Sequence, residues 1–117
     1  MAIHTELQIY RDAFELLDVA ESAIVQMPRG AKTVVGAQIL ADCLGVMTQI
    51  SRANRSRDRR PQHLDALLDR VQSAEVLFRL SWGKRYIPPG RYGKLMQLTV
   101  KIGKQANAWR KSSQPAA

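Results

Sequence analysis

Apolar residues recur along this chain at alternating steps of three and four, the spacing that lines side chains along one face of an α-helix. The first such seam is Leu7, Tyr10, Phe14, Leu17 and Ile24, with Ala20 taking the buried position where Glu21 interrupts it. Thr5 and Gln8 have the spacing of a capping box, the hydroxyl accepting from a first-turn amide while the glutamine reaches back to the cap. This predicts a helix over 5–27, ended by Pro28, with Gly30 letting the chain turn. A second helix over 31–54 carries Val35, Ile39, Cys43, Met47 and Ile50, widened by Leu40, Leu44 and Val46. Its Gly36 and Gly45 each lower helix propensity by about 1 kcal/mol relative to alanine. Close approach of a neighbouring helix or a second subunit at those points would offset that.

Pro61 opens a third helix over 61–82, with Leu64, Leu67, Val71, Ala74 and Phe78 on one seam, Leu68 and Leu77 beside it, and Gly83 as its stop. Pro88 and Pro89 exclude a helix through the next connector, whose Tyr86 and Ile87 should fold back on the end of the molecule. The fourth helix, over 89–111, has the seam Tyr92, Leu95, Thr99, Ile102, Ala106 and Trp109, with Arg91, Lys94, Lys101 and Lys104 on its other side. Residues 112–117 are polar and small and should fray. Four amphipathic segments with short links and almost no strand-like alternation predict one all-α domain over 1–117, an antiparallel up-down-up-down four-helix bundle.

At 117 residues such a domain can bury roughly two thirds of its unfolded surface without a disulfide. Its single cysteine, Cys43, lies in an apolar run and reads as a small core residue in a reducing, cytoplasmic protein. No stretch is expected to cross a membrane, and acidic residues precede any long apolar run, so the chain reads as soluble and not exported.

Charge changes the picture. The formal net charge is +8 and the pI about 10.3, and all ten acidic residues lie at or before Glu75. The first helix is acidic against a lone Arg11, whereas every charged side chain from Val76 onward is basic. Between the second and third helices, Arg52, Arg55, Arg57, Arg59 and Arg60 crowd one short run, offset only by Asp58. Each guanidinium keeps five donors in a fork that suits phosphate. The run is either a solvated loop or a phosphate contact, and the charge asymmetry favours a polyanionic partner. Part of the asymmetry is equally explained if the acidic first helix lies beside the basic fourth and neutralises it.

Catalytic chemistry has no support in these residues. His4 and His63 lack partners at zinc-ligand spacing, the Glu-x-x-His pairs of di-iron bundles do not occur, and Glu21 is the lone carboxylate expected on an apolar seam. Gly90 lacks the pattern of a phosphate-binding loop, and neither Cys43 nor any serine has a nearby base. The chain reads as a binding protein without metal, cofactor or catalytic residues.

Phe78-Arg79-Leu80, then Tyr86-Ile87, then Ile102-Gly103-Lys104 and Trp109 together resemble the accessory variability protein (Avd) family of diversity-generating retroelements. The likeness covers nearly the whole chain. Gln38-Ile39 and Ile50 are also similar to the wider relatives, four-helix proteins encoded within intervening sequences of ribosomal RNA genes. Where Avd-type proteins usually carry glycines before the tryptophan, this chain has Asn107 and Ala108, and Arg52-Ala53 replaces the relatives' Glu-Gly. The resemblance implies a non-enzymatic basic bundle that assembles as a homopentamer. It further implies binding of a reverse transcriptase and its template RNA or RNA/DNA hybrid during mutagenic copying of the template repeat. The alternative is a structural or interaction bundle akin to the intervening-sequence proteins.

Carried over from the matching motifs, Arg79 and Lys104 are expected to contact nucleic acid or polymerase. The hinge arginines, Lys84 and Arg85, and the helix-face residues Lys94 and Lys101 complete the candidate set. Antiparallel helices place the hinge and Lys84-Arg85 at opposite ends, predicting two contact surfaces. With few aromatics available, phosphate contacts should dominate, giving weak sequence specificity. Val19, Val46 and Val100 are expected to be exposed apolar residues of a subunit interface. Trp109 is expected to be a packing anchor, its truncation to alanine costing about 3–5 kcal/mol if fully buried.

Overall fold

The computed structural model describes residues 7–113. Four helices account for nearly all of them: α1, Gln8–Val25; α2, Arg29–Arg55; α3, Arg60–Gly83; and α4, Pro89–Ser112. Each packs against two neighbours, α1 on α2 and α4, α3 on α2 and α4, so they close into a ring in a body of 49 × 24 × 21 Å. This is the all-α four-helix bundle that the apolar period predicts. Its helix bounds fall within a few residues of expectation, and Thr5 of the proposed capping box lies outside the described residues. Gln8 instead donates from its side chain to Asp12 Oδ1 at 3.0 Å.

Two boundaries differ from expectation for local reasons. Gly30 is not a turn residue: Pro28 is already the N-cap of α2, and Gly30 sits in the first helical turn with ordinary backbone angles. Gly83 is the last residue of α3 and not its stop. The chain turns at Arg85, whose φ is 60°. The Arg85 amide donates to the Trp82 carbonyl and the Tyr86 amide to the Ser81 carbonyl, at 3.0 and 2.7 Å, the paired bonds that close a helix through a left-handed residue. Ile87 then folds back and is buried, as expected.

Within α2, residues Lys32–Gly36 form a π turn, which accommodates one extra residue in the helix. A Cβ at Gly36 would lie 2.6 Å from Ile24 Cγ2 of α1, and one at Gly45 would lie 2.7 Å from Arg70 Nε of α3. Both mid-helix glycines therefore have the packing reason that their propensity cost demands. By length and composition α2 is long and apolar enough to cross a membrane, contrary to the sequence expectation. In the bundle its apolar side packs against α1 and α3 and carries the buried carboxylate of Asp42, an arrangement consistent with a soluble protein.

The core seam of α3 is the expected one, Leu64, Leu67, Val71, Ala74 and Phe78, continued by Ser81, and that of α4 adds Leu98. The seam of α1 is displaced. Ile9, Asp12, Ala13, Leu16, Ala20 and Ala23 are buried, whereas Phe14 is 55% exposed and Glu21 faces solvent. Val46, expected outside, is fully buried, Val19 is half-buried, and Val100 is exposed as expected.

Candidate nucleic-acid interface

The polar contacts inside the bundle determine which charges remain available outside it. Asp12, only 3% exposed, accepts from Gln8 and from Gln105 Nε2 at 2.6 Å and sits 3.5 Å from Lys101 Nζ, tying α1 to α4. Asp42, 1% exposed, accepts from Gln38, from Ser73 Oγ at 2.6 Å and from Arg70 at 3.2 Å, tying α2 to α3. Each buried carboxylate thus has a glutamine one helical turn before it and donors on the adjacent helix, which offsets its desolvation. Glu75 accepts from Thr99 Oγ1 at 2.8 Å between α3 and α4. The thiol of Cys43 is fully buried between these elements, and burial, with Asp42 beside it, pushes its pKa up to about 12. It is a core residue with no thiolate chemistry at neutral pH.

Several candidate cations are occupied by these contacts. Lys94 Nζ lies 3.0 Å from Glu15 and Lys101 pairs with Asp12, so the acidic α1 does neutralise part of the basic α4. Arg110, absent from the candidate set, grips Asp65 through two bonds of 2.5 and 3.1 Å. That hydrogen bond, with the guanidinium charge, holds the exposed Asp65 carboxyl below its ordinary range. Arg60 departs furthest from expectation. Its Nε donates to the Ala53 carbonyl at 2.8 Å, satisfying a last-turn acceptor of α2, and its guanidinium lies 5.3 Å from the centroid of the Trp109 ring. Arg60 is a clasp joining α2, α3 and α4, and not a free phosphate ligand.

What is left falls in three places. At the hinge end, Arg52 and Arg55 in the last turn of α2 and Arg57 and Arg59 in the loop are exposed, and none forms an ion pair among the described residues. The Ser56 hydroxyl accepts from the Arg59 amide at 3.3 Å and steadies the loop. At the opposite end, Lys84 and Arg85 are exposed between α3 and α4. The antiparallel ring confirms the expectation that these two clusters lie at opposite ends. Arg79 and Lys104, separated by 25 positions in the chain, line one shallow groove between α3 and α4 with Val76, Val100 and Gly103.

One element of this surface was missed at the sequence level. Trp82, 47% exposed, stacks on Tyr92 with ring centroids 4.9 Å apart and planes 12° from parallel. The signal was a tryptophan immediately before Gly83-Lys84-Arg85 at a helix end, where a core role is least expected. No family model matches the chain and no curated protein matches it. The likeness to the Avd family therefore rests on the quoted residues alone.

Proposed function

We propose that this chain is a non-enzymatic, cytoplasmic nucleic-acid-binding accessory protein of a diversity-generating retroelement, partnering a reverse transcriptase and its template RNA. The observation that carries the nucleic-acid part is the hinge: Arg52, Arg55, Arg57 and Arg59 are exposed at one end with no carboxylate paired to them among the described residues. Four like charges in one short segment repel one another, and a phosphate backbone is the partner that relieves this. Surface charge kept only for solubility would alternate in sign, as α1 and α4 do across their contact, whereas the hinge sets Asp58 alone against these four arginines. The retroelement part rests on the resemblance of Arg79, Tyr86-Ile87, Ile102-Gly103-Lys104 and Trp109, and the groove shared by Arg79 and Lys104 gives two of those residues a common surface.

The test is a salt series of RNA affinity for the wild-type chain and a variant with Arg52, Arg55, Arg57 and Arg59 changed to glutamine. Each lost phosphate contact should reduce the slope of log affinity against log salt by about 0.7 to 0.9. A folded variant with an unchanged slope would show these arginines to be merely solvated. A neighbouring reverse-transcriptase gene with template and variable repeats would support the retroelement assignment.

The second reading, a structural or interaction bundle, is favoured by a different surface. Phe14 of α1 and Leu44 of α2 are both more than half exposed, and a face of this kind belongs to a contact with another protein or another copy.

A further inference from the structure

At the end opposite the hinge lies an open cavity of about 710 Å³ walled by Trp82, Arg85, Tyr86, Ile87, Pro88 and Pro89, with no carboxylate in its lining among the described residues. Tyr92 stacks on one face of the Trp82 ring and is not part of the cavity wall, whereas Trp82 lines the cavity and is 47% exposed. Lys84, exposed, stands beside it in the chain. Arg85 occupies the left-handed position of the helix-closing turn, where glycine is the unstrained choice. An arginine at φ 60° is the less stable residue there, and its exposed charge has no ion-pair partner among the described residues to compensate.

We infer that this cavity is a stacking site for an unpaired base of single-stranded nucleic acid, with Trp82 as the platform, backed by Tyr92, and with Lys84 and Arg85 on the flanking phosphates. The inference rests on the nucleic-acid reading above and adds to it a preference for single strands over duplex. An aromatic face backed by a second ring is rigid before the base arrives, so little ordering opposes binding. Every base has a π face, so the site is tolerant of sequence. Bases inside a duplex are already stacked and cannot enter.

The experiment compares a 12-nucleotide RNA single strand with a duplex of the same length by fluorescence anisotropy. Trp82→Ala should weaken single-strand binding by about fivefold to 150-fold, the range for loss of one stacked base, and leave the salt slope and the duplex affinity unchanged. Trp82→Phe should retain most of the affinity. Arg85→Gly suits the turn, so the chain stays folded, and the single-strand slope should fall by about 0.7. In a Trp109→Phe chain Trp82 is the one remaining tryptophan, and saturating RNA should quench its emission with the stacking surface intact. Undiminished affinity of Trp82→Ala together with no quenching would overturn the stacking site and leave the nucleic-acid reading standing. Absence of RNA binding by the wild-type chain at low salt would overturn both. Quenching by an acidic peptide but not by RNA would assign the cavity to a protein and overturn the inference.

Discussion

Gly36 and Gly103 are both mid-helix, and their surroundings give them opposite roles. A methyl at Gly36 would press on the buried Ile24, whereas one at Gly103 would meet nothing within 4 Å. Gly103→Ala should therefore raise stability by about 0.5 to 1 kcal/mol through helix propensity. Gly36→Ala sets the same gain against overpacking of about 1 to 3 kcal/mol, and a lower melting temperature is expected. Thermal unfolding of the two variants beside the wild type decides both. Trp109 is half-buried beneath Arg60 and not sealed in the core. The full-burial cost of its truncation does not apply, and Trp109→Ala should cost about 2 kcal/mol by denaturant titration, in proportion to the apolar surface that is covered. Sequence showed that glycines at 36 and 45 needed a packing reason, because their propensity cost is local. It could not show that Asp12, Asp42 and Arg60 are held inside or across the bundle, since their partners lie on other helices.

The helices themselves were legible because a strong 3.6-residue period survives any tertiary context, and the seams of α3 and α4 each have one dominant periodic set, Leu64, Leu67, Val71, Ala74 and Phe78 in the first and Leu95, Thr99, Ile102 and Ala106 in the second. In α1 two periodic sets compete: Tyr10, Phe14 and Leu17, which are large, and Ile9, Ala13, Leu16, Ala20 and Ala23, which are mostly small. Size favoured the first set, but small residues allow close helix approach, and they are the ones buried. The end of α3 misled in the same way, glycine suggesting a stop that Arg85 makes two residues later. Between α3 and α4, the Asp65–Arg110 pair supplies an element-level test. The folded pKa of Asp65 is lowered by the Arg110 hydrogen bond first, with attraction by its charge added. Its contribution is therefore fully present above the ordinary carboxylate pKa and is lost as pH falls through the lower folded value. Asp65 is exposed and Arg110 only partly covered, so the effect is small. The difference in melting temperature between wild type and Asp65→Asn should be constant near neutrality and shrink to nothing in acid below the usual carboxylate range. A difference that persists there would assign the contact to something other than the ion pair.

On the scale of the whole molecule, and among the described residues, cations without ion-pair partners gather at the two ends and in the α3–α4 groove, while the outer side of α1 carries Phe14 and Leu17 beside the exposed carboxylates of Asp18 and Glu21. Ile24 against Gly36 marks the side of α1 that meets α2, and at about 100° per residue Tyr10, Phe14 and Leu17 fall on that flank. Asp42 and Gly45 mark the side of α2 that meets α3, which leaves Leu40, Leu44 and Met47 toward α1. The same Ile24–Gly36 contact sets the antiparallel register, in which Phe14 is level with Val46 and Leu44 lies about half a turn away. Phe14 and Leu44, 55% and 53% exposed, are the outermost of these residues on α1 and α2, and Leu17, Leu40 and Met47 are half-buried. The large residues excluded from the α1 seam have a use if this face is covered by another subunit, with Asp18 and Glu21 at the rim of the contact. A chain of 13.1 kDa should then sediment as an oligomer at micromolar concentration, the resemblance favouring a pentamer. Phe14→Asp with Leu44→Asp places two charges on that face and nothing in the core, so it should yield folded monomer. A wild-type monomer would remove the interface, and an oligomer indifferent to both substitutions would move it elsewhere, to the exposed Val76 and Val100 of the α3–α4 groove. In that case subunits would cover Arg79 and Lys104, and the ends alone would be left to meet nucleic acid.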